Sequence, residues 1–494
     1  MAASAANPEV ERIRARLDHP VIDADGHLFE YLPVVYDLLD EVAGAAAVDG
    51  FRVVTGASAL TRPLSAEQRR QAGAIRTPWW GLPAANTLDR ATALLPALLS
   101  ERLPELGIDV AVLYPTYGLT VMGIGDDEVR RGAARAFNRY FAEIAAEHGD
   151  RLVPVAIIPT FTPEEALDEL DHAVGELGLR ATMMGGLVQR PFAGDGSSRT
   201  ARWVDGLGLD SAYDYDPVWA RCAELGVSPT FHSTGMGWGS RVSPGNYVAN
   251  HIGNFAAAGE AVCRSLFFGG AFHRFPDLRW AFHEGGAAWA VNLCSDICGH
   301  WEKRNIDAVG HYDPAALDRA LLRDLFGSYG SASARGRLDQ LDEGLEFLSD
   351  PDEDPATRDE FAACGVGSLA DVVATFDRLH FGCEADDPLT AVAFDRTLVP
   401  GGGTLRALFA SDIGHWDVPD VREVLPESWE LVERDLIGTD DFRAFTFENP
   451  VSLWCGTNPA FFEGTAVERQ VAERRGADDH LSGDRSAEGA ATGR

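Results

Sequence analysis

VIDADGH, Val21–His27, is the stretch that decides how this chain is read. It begins as a short apolar strand and ends on acidic and imidazole side chains. Alternate side chains of a strand share a face, so Asp25 and His27 are expected to point together from the strand's C-terminal end. Seven further runs of strand length follow: DVAVLYP (109–115), LVPVAII (152–158), ATMMGGL (181–187), SPTFH (228–232), LRWAFH (278–283), LHFGCE (379–384) and ALFASD (407–412). They alternate little and are separated by helical stretches, the pattern of parallel strands buried on both faces. The intervening helices are legible. Residues 126–149 carry apolar side chains at helical spacing and stop on Gly149, and Thr162-Pro163 supplies an N-cap and a first helical residue. Eight such strands predict an α/β fold, a (β/α)8 TIM barrel whose reactive groups lie at the strands' C-terminal ends. The uneven spacing predicts long insertions after strands 1 and 6, at about 35–105 and 300–375. Residues 1–19 form an N-terminal extension and 20–465 the barrel. The segment 466–494, charged and rich in Gly, Ala and Ser, is expected to be a disordered tail.

Composition narrows the function classes. The 494 residues hold 42 Lys+Arg against 76 Asp+Glu, a net charge of −34. That acidity argues against a nucleic acid or an anionic membrane as partner and leaves a small-molecule substrate. The only lysine is Lys303, so Schiff-base chemistry or a lysine-carbamate bridge between two metals would have to use that residue. Seven cysteines without a C-x-x-C pair read as reduced thiols of a cytoplasmic protein. The N-terminus lacks the apolar centre of a signal peptide, and no apolar run approaches the ~18 residues of a membrane span.

Polar residues then sort by position. The first strand ends on Asp25 and His27, the fifth on His232, the sixth on His283-Glu284, the seventh on Glu384 and the eighth on Asp412. Converging buried charges cost several kcal/mol each unless a cation balances them. Asp25, His27, His232 and Asp412 therefore read as ligands of a divalent metal ion, and mixed imidazole and carboxylate donors suit zinc, manganese or iron. Glu30, Glu284, Glu384, Asp386 and Asp387 either support those ligands or, with His283, hold a second ion. Trp79, Trp80, Met236 and Trp238 are candidate pocket walls, as are His251 and His415. Arg190, Arg241 and Arg304 are candidates to grip a substrate carboxylate. Gly401–Gly403 lacks the lysine and the register of a phosphate loop.

Taken together, IDADGH, TFH, FHEGG and FASDIGHWD resemble the amidohydrolase superfamily. The resemblance is nearest to the amidohydrolase-related branch that includes aminocarboxymuconate-semialdehyde decarboxylase and the resorcylate decarboxylases. It implies that Asp25 and His27 are the first-strand metal pair, that His232 and Asp412 are the fifth- and eighth-strand ligands, and that His283 works catalytically beside Asp412. It also implies a homo-oligomer, and a metal-dependent hydrolase or non-oxidative carboxy-lyase acting on a small carboxylated or acyl metabolite. The alternative on the same fold is an O₂-dependent dinuclear iron or manganese monooxygenase that hydroxylates a small metabolite. Two departures stand out: Asp25 replaces the commoner histidine, which hardens the site, and the fourth strand has no lysine for a carbamate.

Overall fold

The computed structural model describes residues 7–61, 63–76, 83–192, 201–232, 243–349 and 358–476. Eight parallel strands make one nearly closed barrel. In sheet order they are β1 (Ile22–Leu28), β2 (Val110–Pro115), β3 (Leu152–Ile157), β4 (Ala181–Met184), β7 (Pro229–Phe231), β8 (Trp280–Phe282), β9 (Leu379–Glu384) and β10 (Arg406–Ala410). β5 (Val188–Pro191) and β6 (Arg202–Asp205) form a separate antiparallel ribbon between the fourth and fifth barrel strands. All eight runs expected from the sequence are therefore barrel strands, the fifth to eighth being β7 to β10. β2, β3, β4, β7 and β8 are buried along their whole length, which is why their sequences show little alternation; β1 is equally buried although Asp23, Asp25 and His27 alternate with small or apolar residues along it.

Helices pack where the pattern placed them. The helix Asp127–His148 is capped by the Asp126 side chain, and Pro163–Leu170 by Thr162, which accepts from the Glu165 amide. Between β1 and β2 the chain inserts a long helical segment that includes Leu32–Thr61, and between β8 and β9 another that includes Ala288–Arg304 and Arg319–Tyr329. Lys303 lies exposed on the first of these last two helices. Val467 and Val471 are buried, so packing continues past the boundary drawn at 465; residues 477–494 lie outside the described residues. All seven cysteines are free and buried. Among the described residues no helix is long and apolar enough to cross a membrane.

The barrel closes where β1 meets β10, and a side chain does much of the closing. Asp23 is fully buried; Oδ1 accepts from the backbone amides of Ser411 (3.0 Å) and Asp25 (3.2 Å), and Oδ2 from the Ser411 hydroxyl (2.5 Å). The amide of Asp412 then donates to the Asp25 carbonyl at 3.2 Å. β1 makes room for this carboxylate by a bulge: its register against β2 shifts between Asp23 and Gly26. A Cβ at Gly26 would stand 2.5 Å from Asp23 Oδ2, so only glycine lets the carboxylate fold against its own strand. Burial pushes Asp23 up to about 7, tempered by the donors from Ser411 and Asp25.

Asp23→Ala should strand those three donors in a dry seam and cost about 2–4 kcal/mol. Asp23→Asn, which keeps an acceptor oxygen, should cost clearly less. Thermal and urea unfolding of the two variants is the check, and equal losses would refute a closing role for the carboxylate.

Candidate metal centre

Four barrel strands deliver their C-terminal ends to one point. His27 Nε2 lies 3.5 Å from Asp25 Oδ1, 3.3 Å from His232 Nε2, 3.3 Å from Glu284 Oε1 and 3.6 Å from Asp412 Oδ1. His232 Nε2 is also 3.3 Å from Glu284 Oε1. Ligands held about 2.0–2.2 Å from one ion stand about 3.0–3.6 Å from one another, so these spacings match the corners of a single coordination sphere. Asp25, His27 and His232 form one group that could hold a metal, and His27, Glu284, Asp412 and His415 an overlapping one. Two of the acids sit on strained backbone, Glu284 at φ 57° and Asp412 at φ 48°. Left-handed φ is uncommon for side chains other than glycine, and here it turns both carboxylates inward just beyond β8 and β10.

The fit to a cation rests on orphaned polar atoms. Both Asp25 oxygens, Asp412 Oδ1, His232 Nδ1 and His283 Nδ1 are buried without an aligned hydrogen bond among the described residues, although Asp25 Oδ2 and Asp412 Oδ1 lie beside the ring nitrogens of His283 and His415. Leaving so many buried groups unsatisfied costs about 1–3 kcal/mol each. The titration behaviour points the same way. Burial opposes a charged His27, but Asp25 and Glu284 overcome it and raise the ring to about 10. Burial also opposes ionisation of Glu284, yet His232 and His27 hold it well below the usual carboxylate range. Asp412 is pushed well above that range by burial and by Glu284, Asp417 and Glu384. The cluster is short of positive charge.

The surrounding hydrogen bonds fix which nitrogen does what. His27 Nδ1 donates to the Pro115 carbonyl (3.2 Å), so Nε2 is the nitrogen that faces the cluster. The Thr230 hydroxyl donates to the Thr182 carbonyl (2.6 Å), so it accepts from Tyr114 Oη (2.7 Å). Tyr114 has then spent its proton, and His283 Nε2 must donate to it across 2.8 Å. This chain joins β2 to β7 and β8 through the barrel interior and leaves His283 Nδ1, 3.2 Å from Asp25 Oδ2, as the nitrogen free to exchange a proton.

The other expected residues fall into four groups. Glu30 is consumed by backbone, accepting from the amides of Thr116 (3.2 Å), Tyr117 (2.8 Å) and Gly118 (3.3 Å). It fixes the loop whose Thr116 hydroxyl touches His415 Nε2 (3.2 Å) and His27 Nδ1 (3.5 Å). Burial pushes it up to about 7. Glu284, Glu384, Asp386, Asp387 and His251 line a cavity of about 460 Å³ above the cluster, with Trp416 and Asp417. Arg190 is a correction. Its guanidinium is locked to Asp205 (2.9 Å), the Tyr215 hydroxyl (2.9 Å) and the Phe161 carbonyl, so it braces the β5–β6 ribbon and is not free to grip a substrate. Arg304 pairs with Glu360 at 3.4 Å. Trp79, Trp80, Met236, Trp238 and Arg241 lie outside the described residues.

Sequence reasoning missed two participants, Tyr114 and Asp23, and gave His415 and Glu284 other parts, a pocket wall and a support or second-ion ligand. His415 places Nδ1 2.5 Å from Asp412 Oδ1 and 3.4 Å from Glu284 Oε1, and burial beside His27 lowers it to about 3. Glu284 Oε1 sits among the four expected ligands and not behind them. Tyr114 and Asp23 looked like ordinary strand residues. Only the i, i+3 spacing of Asp412 and His415 offered a signal, since a turn can bring such a pair together.

Comparison with known proteins places the chain by its sequence. A family model described as amidohydrolase matches residues 22–331. A 2-amino-3-carboxymuconate-6-semialdehyde decarboxylase of Dictyostelium discoideum is 26% identical over 160 residues, covering 32% of this chain and 39% of that protein. Decarboxylase orsB of Emericella nidulans is 28% identical over 185 residues, covering 34% and 50%. The chain thus spans half or less of the length of these curated relatives. Among solved structures, a 2,6-dihydroxybenzoate decarboxylase complexed with 2,6-dihydroxybenzoate superposes with TM-score 0.48 and 15% identity, covering 88% of this chain and 99% of that one. A 5-carboxyvanillate decarboxylase from Novosphingobium aromaticivorans, complexed with manganese and a nitrobenzoic acid, gives 0.46 and 13%, covering 88% and 96%.

Elemental analysis of protein purified without added metal should find about one divalent ion per chain. Glu284→Gln should weaken its retention by about 10–100-fold, comparable with loss of a supporting contact or more. Glu384→Gln, altering an acid outside the coordination-spaced set, should leave it unchanged; equal losses in both would contradict the assignment.

Proposed function

Because the chain belongs to the amidohydrolase family, we propose that it is a metal-dependent, non-oxidative carboxy-lyase acting on a small carboxylated metabolite. One observation carries this reading: Asp25, His27, His232, Glu284 and Asp412 converge at coordination spacing beneath a cavity, with His283 beside them. Three carboxylates and two imidazoles make an oxygen-rich donor set, better suited to Mn²⁺ or Fe²⁺ than to Zn²⁺. Such an ion, when bound, supplies positive charge opposite the substrate carboxylate and acidifies an adjacent water. Both curated relatives are named as decarboxylases, which favours loss of CO₂ over hydrolysis.

The protein's own groups do the rest. His283 is held by Tyr114 through Nε2, so Nδ1 is the atom that delivers or takes a proton. As the bond to the carboxylate breaks, CO₂ leaves, the electron pair stays on the substrate carbon, and Nδ1 of His283 delivers there a proton taken up from solvent. Asp25 Oδ2, 3.2 Å from that nitrogen, stabilises the charged ring before transfer. The cavity wall sets charge selectivity. Among its described lining residues Glu284, Glu384, Asp386, Asp387 and Asp417 carry acid and none is Lys or Arg. Like charges repel in a partly dry cleft, so a second carboxylate on the substrate is disfavoured. The oxygenase alternative gains no support from Glu30, whose oxygens are taken by backbone amides.

The test is CO₂ release from a panel of aromatic and unsaturated monocarboxylic acids, with manganese or iron supplied and oxygen excluded. Turnover without oxygen is expected, and dicarboxylates should react more slowly. His283→Asn should lower kcat by about 10²–10⁴-fold while metal content is unchanged. A strict requirement for O₂, or acyl cleavage without CO₂, would sink the carboxy-lyase reading.

A further inference from the structure

The opposite end of the barrel carries the opposite charge. In a chain of net charge −34, three adjacent strands each begin on an arginine. Arg279 directly precedes β8, Arg378 directly precedes β9, and Arg406 is the first residue of β10. Trp280 registers with Leu379 and Arg406 with His380, so the three guanidinium stems emerge side by side. Arg474 and Arg475, near the end of the described chain, join them around a cavity of about 450 Å³.

The charge there is only partly balanced. Arg406 pairs with Asp377 at 3.1 Å, and Arg474 with Glu448 at 3.0 Å; Arg443 shares that same Glu448 at 3.2 Å. Arg279, Arg378 and Arg475 form no ion pair among the described residues. They donate only to backbone carbonyls: Arg279 to Pro276 (3.3 Å) and Leu278 (3.4 Å), Arg378 to Phe272 (3.1 Å), and Arg475 to Pro459 (2.5 Å). All three are half-buried. Burial lowers the proton affinity of Arg279 and Arg378, and for Arg279 the neighbouring Arg378 and Arg406 lower it further, while Asp277 and Asp377 offset part of the effect at both. Clustering half-desolvated cations costs free energy unless an anion joins them. Guanidinium forks match phosphate oxygens in bidentate geometry, and a phosphate brings nearly two negative charges where a carboxylate brings one.

We propose that this cavity binds a phosphate group, either free phosphate or the phosphoryl end of a small metabolite, apart from the metal centre. Four strand steps separate Arg279 from His283, about 13 Å at about 3.3 Å per residue, so the two sites sit at opposite ends of β8. The cavity volume falls within the range of about 300–1,000 Å³ usual for small-molecule sites, leaving room for an organic moiety beyond the phosphate.

Calorimetric titration of the metal-loaded full chain with inorganic phosphate and with glycerol 3-phosphate tests this, with sodium chloride at matched ionic strength as control. Saturable binding to one site per chain is expected, together with a rise in thermal midpoint that chloride does not reproduce. The Arg279→Gln, Arg378→Gln double variant should bind at least tenfold more weakly while keeping the parent's metal content. If that variant does not fold, Arg475→Gln should still weaken binding severalfold. Tighter binding of the ester would assign a phosphorylated metabolite, and equal binding free phosphate; either supports the site. Heats and midpoints indistinguishable from chloride, or undiminished affinity in the folded variants, would overturn it.

Discussion

Three buried carboxylates, Asp25, Glu284 and Asp412, stand within 3.6 Å of one imidazole nitrogen, His27 Nε2. In a dry interior that concentration of negative charge is unfavourable without a cation, and much of the barrel mouth is arranged around it. The backbone is bent to it: Glu284 and Asp412 both adopt left-handed φ immediately beyond their strands. Strain of roughly 1–3 kcal/mol at each such residue persists only where the surroundings over-determine the conformation. Here they do. Gly286 follows Glu284 at φ 68°, and Gly414 follows Asp412 at φ 104°, turning the chain away again within two residues.

Neutral hydrogen bonds hold this charged centre in register. The relay from the Thr182 carbonyl through Thr230 and Tyr114 to His283 uses one proton per link, and its direction follows from the first link alone. Glu30 plays the complementary part, gathering three amides of the loop after β2 so that Thr116 meets both His27 and His415. Asp23 ties β1 to β10 from below. Neighbouring acids on a single strand therefore do unlike work: Asp23 is spent on closure, while Asp25 remains unsatisfied and faces the centre.

The strands also separate charge along the barrel axis. Their C-terminal ends open into a cavity walled by acids, and the N-terminal ends of β8, β9 and β10 present arginines. The net acidity of the chain conceals this polarity, because a total cannot register where the 42 basic residues lie.

How much was legible follows from the range over which each signal acts. Burial on both faces leaves its mark in most strands as a short, largely apolar run, so the eight strands, the two insertions and the barrel could be read from the chain. Asp25, His27, His232, His283 and Asp412 could be singled out because each ends such a run. Residues whose role depends on a partner far along the chain left no local trace. Asp23 meets Ser411 across a sequence gap of 388 and Tyr114 meets His283 across 169. Arg190 illustrates the converse: free in the sequence, it is bound in the fold by Asp205 and Tyr215. Sequence by itself determined the barrel and the identity of the main metal-ligand candidates, because periodicity and strand ends are local properties. Only the tertiary structure decided that Glu284 and His415 join those candidates, which nitrogen of His283 is free, and that arginines gather below. Those outcomes depend on distances of a few ångströms between strands, which spacing along a chain does not encode.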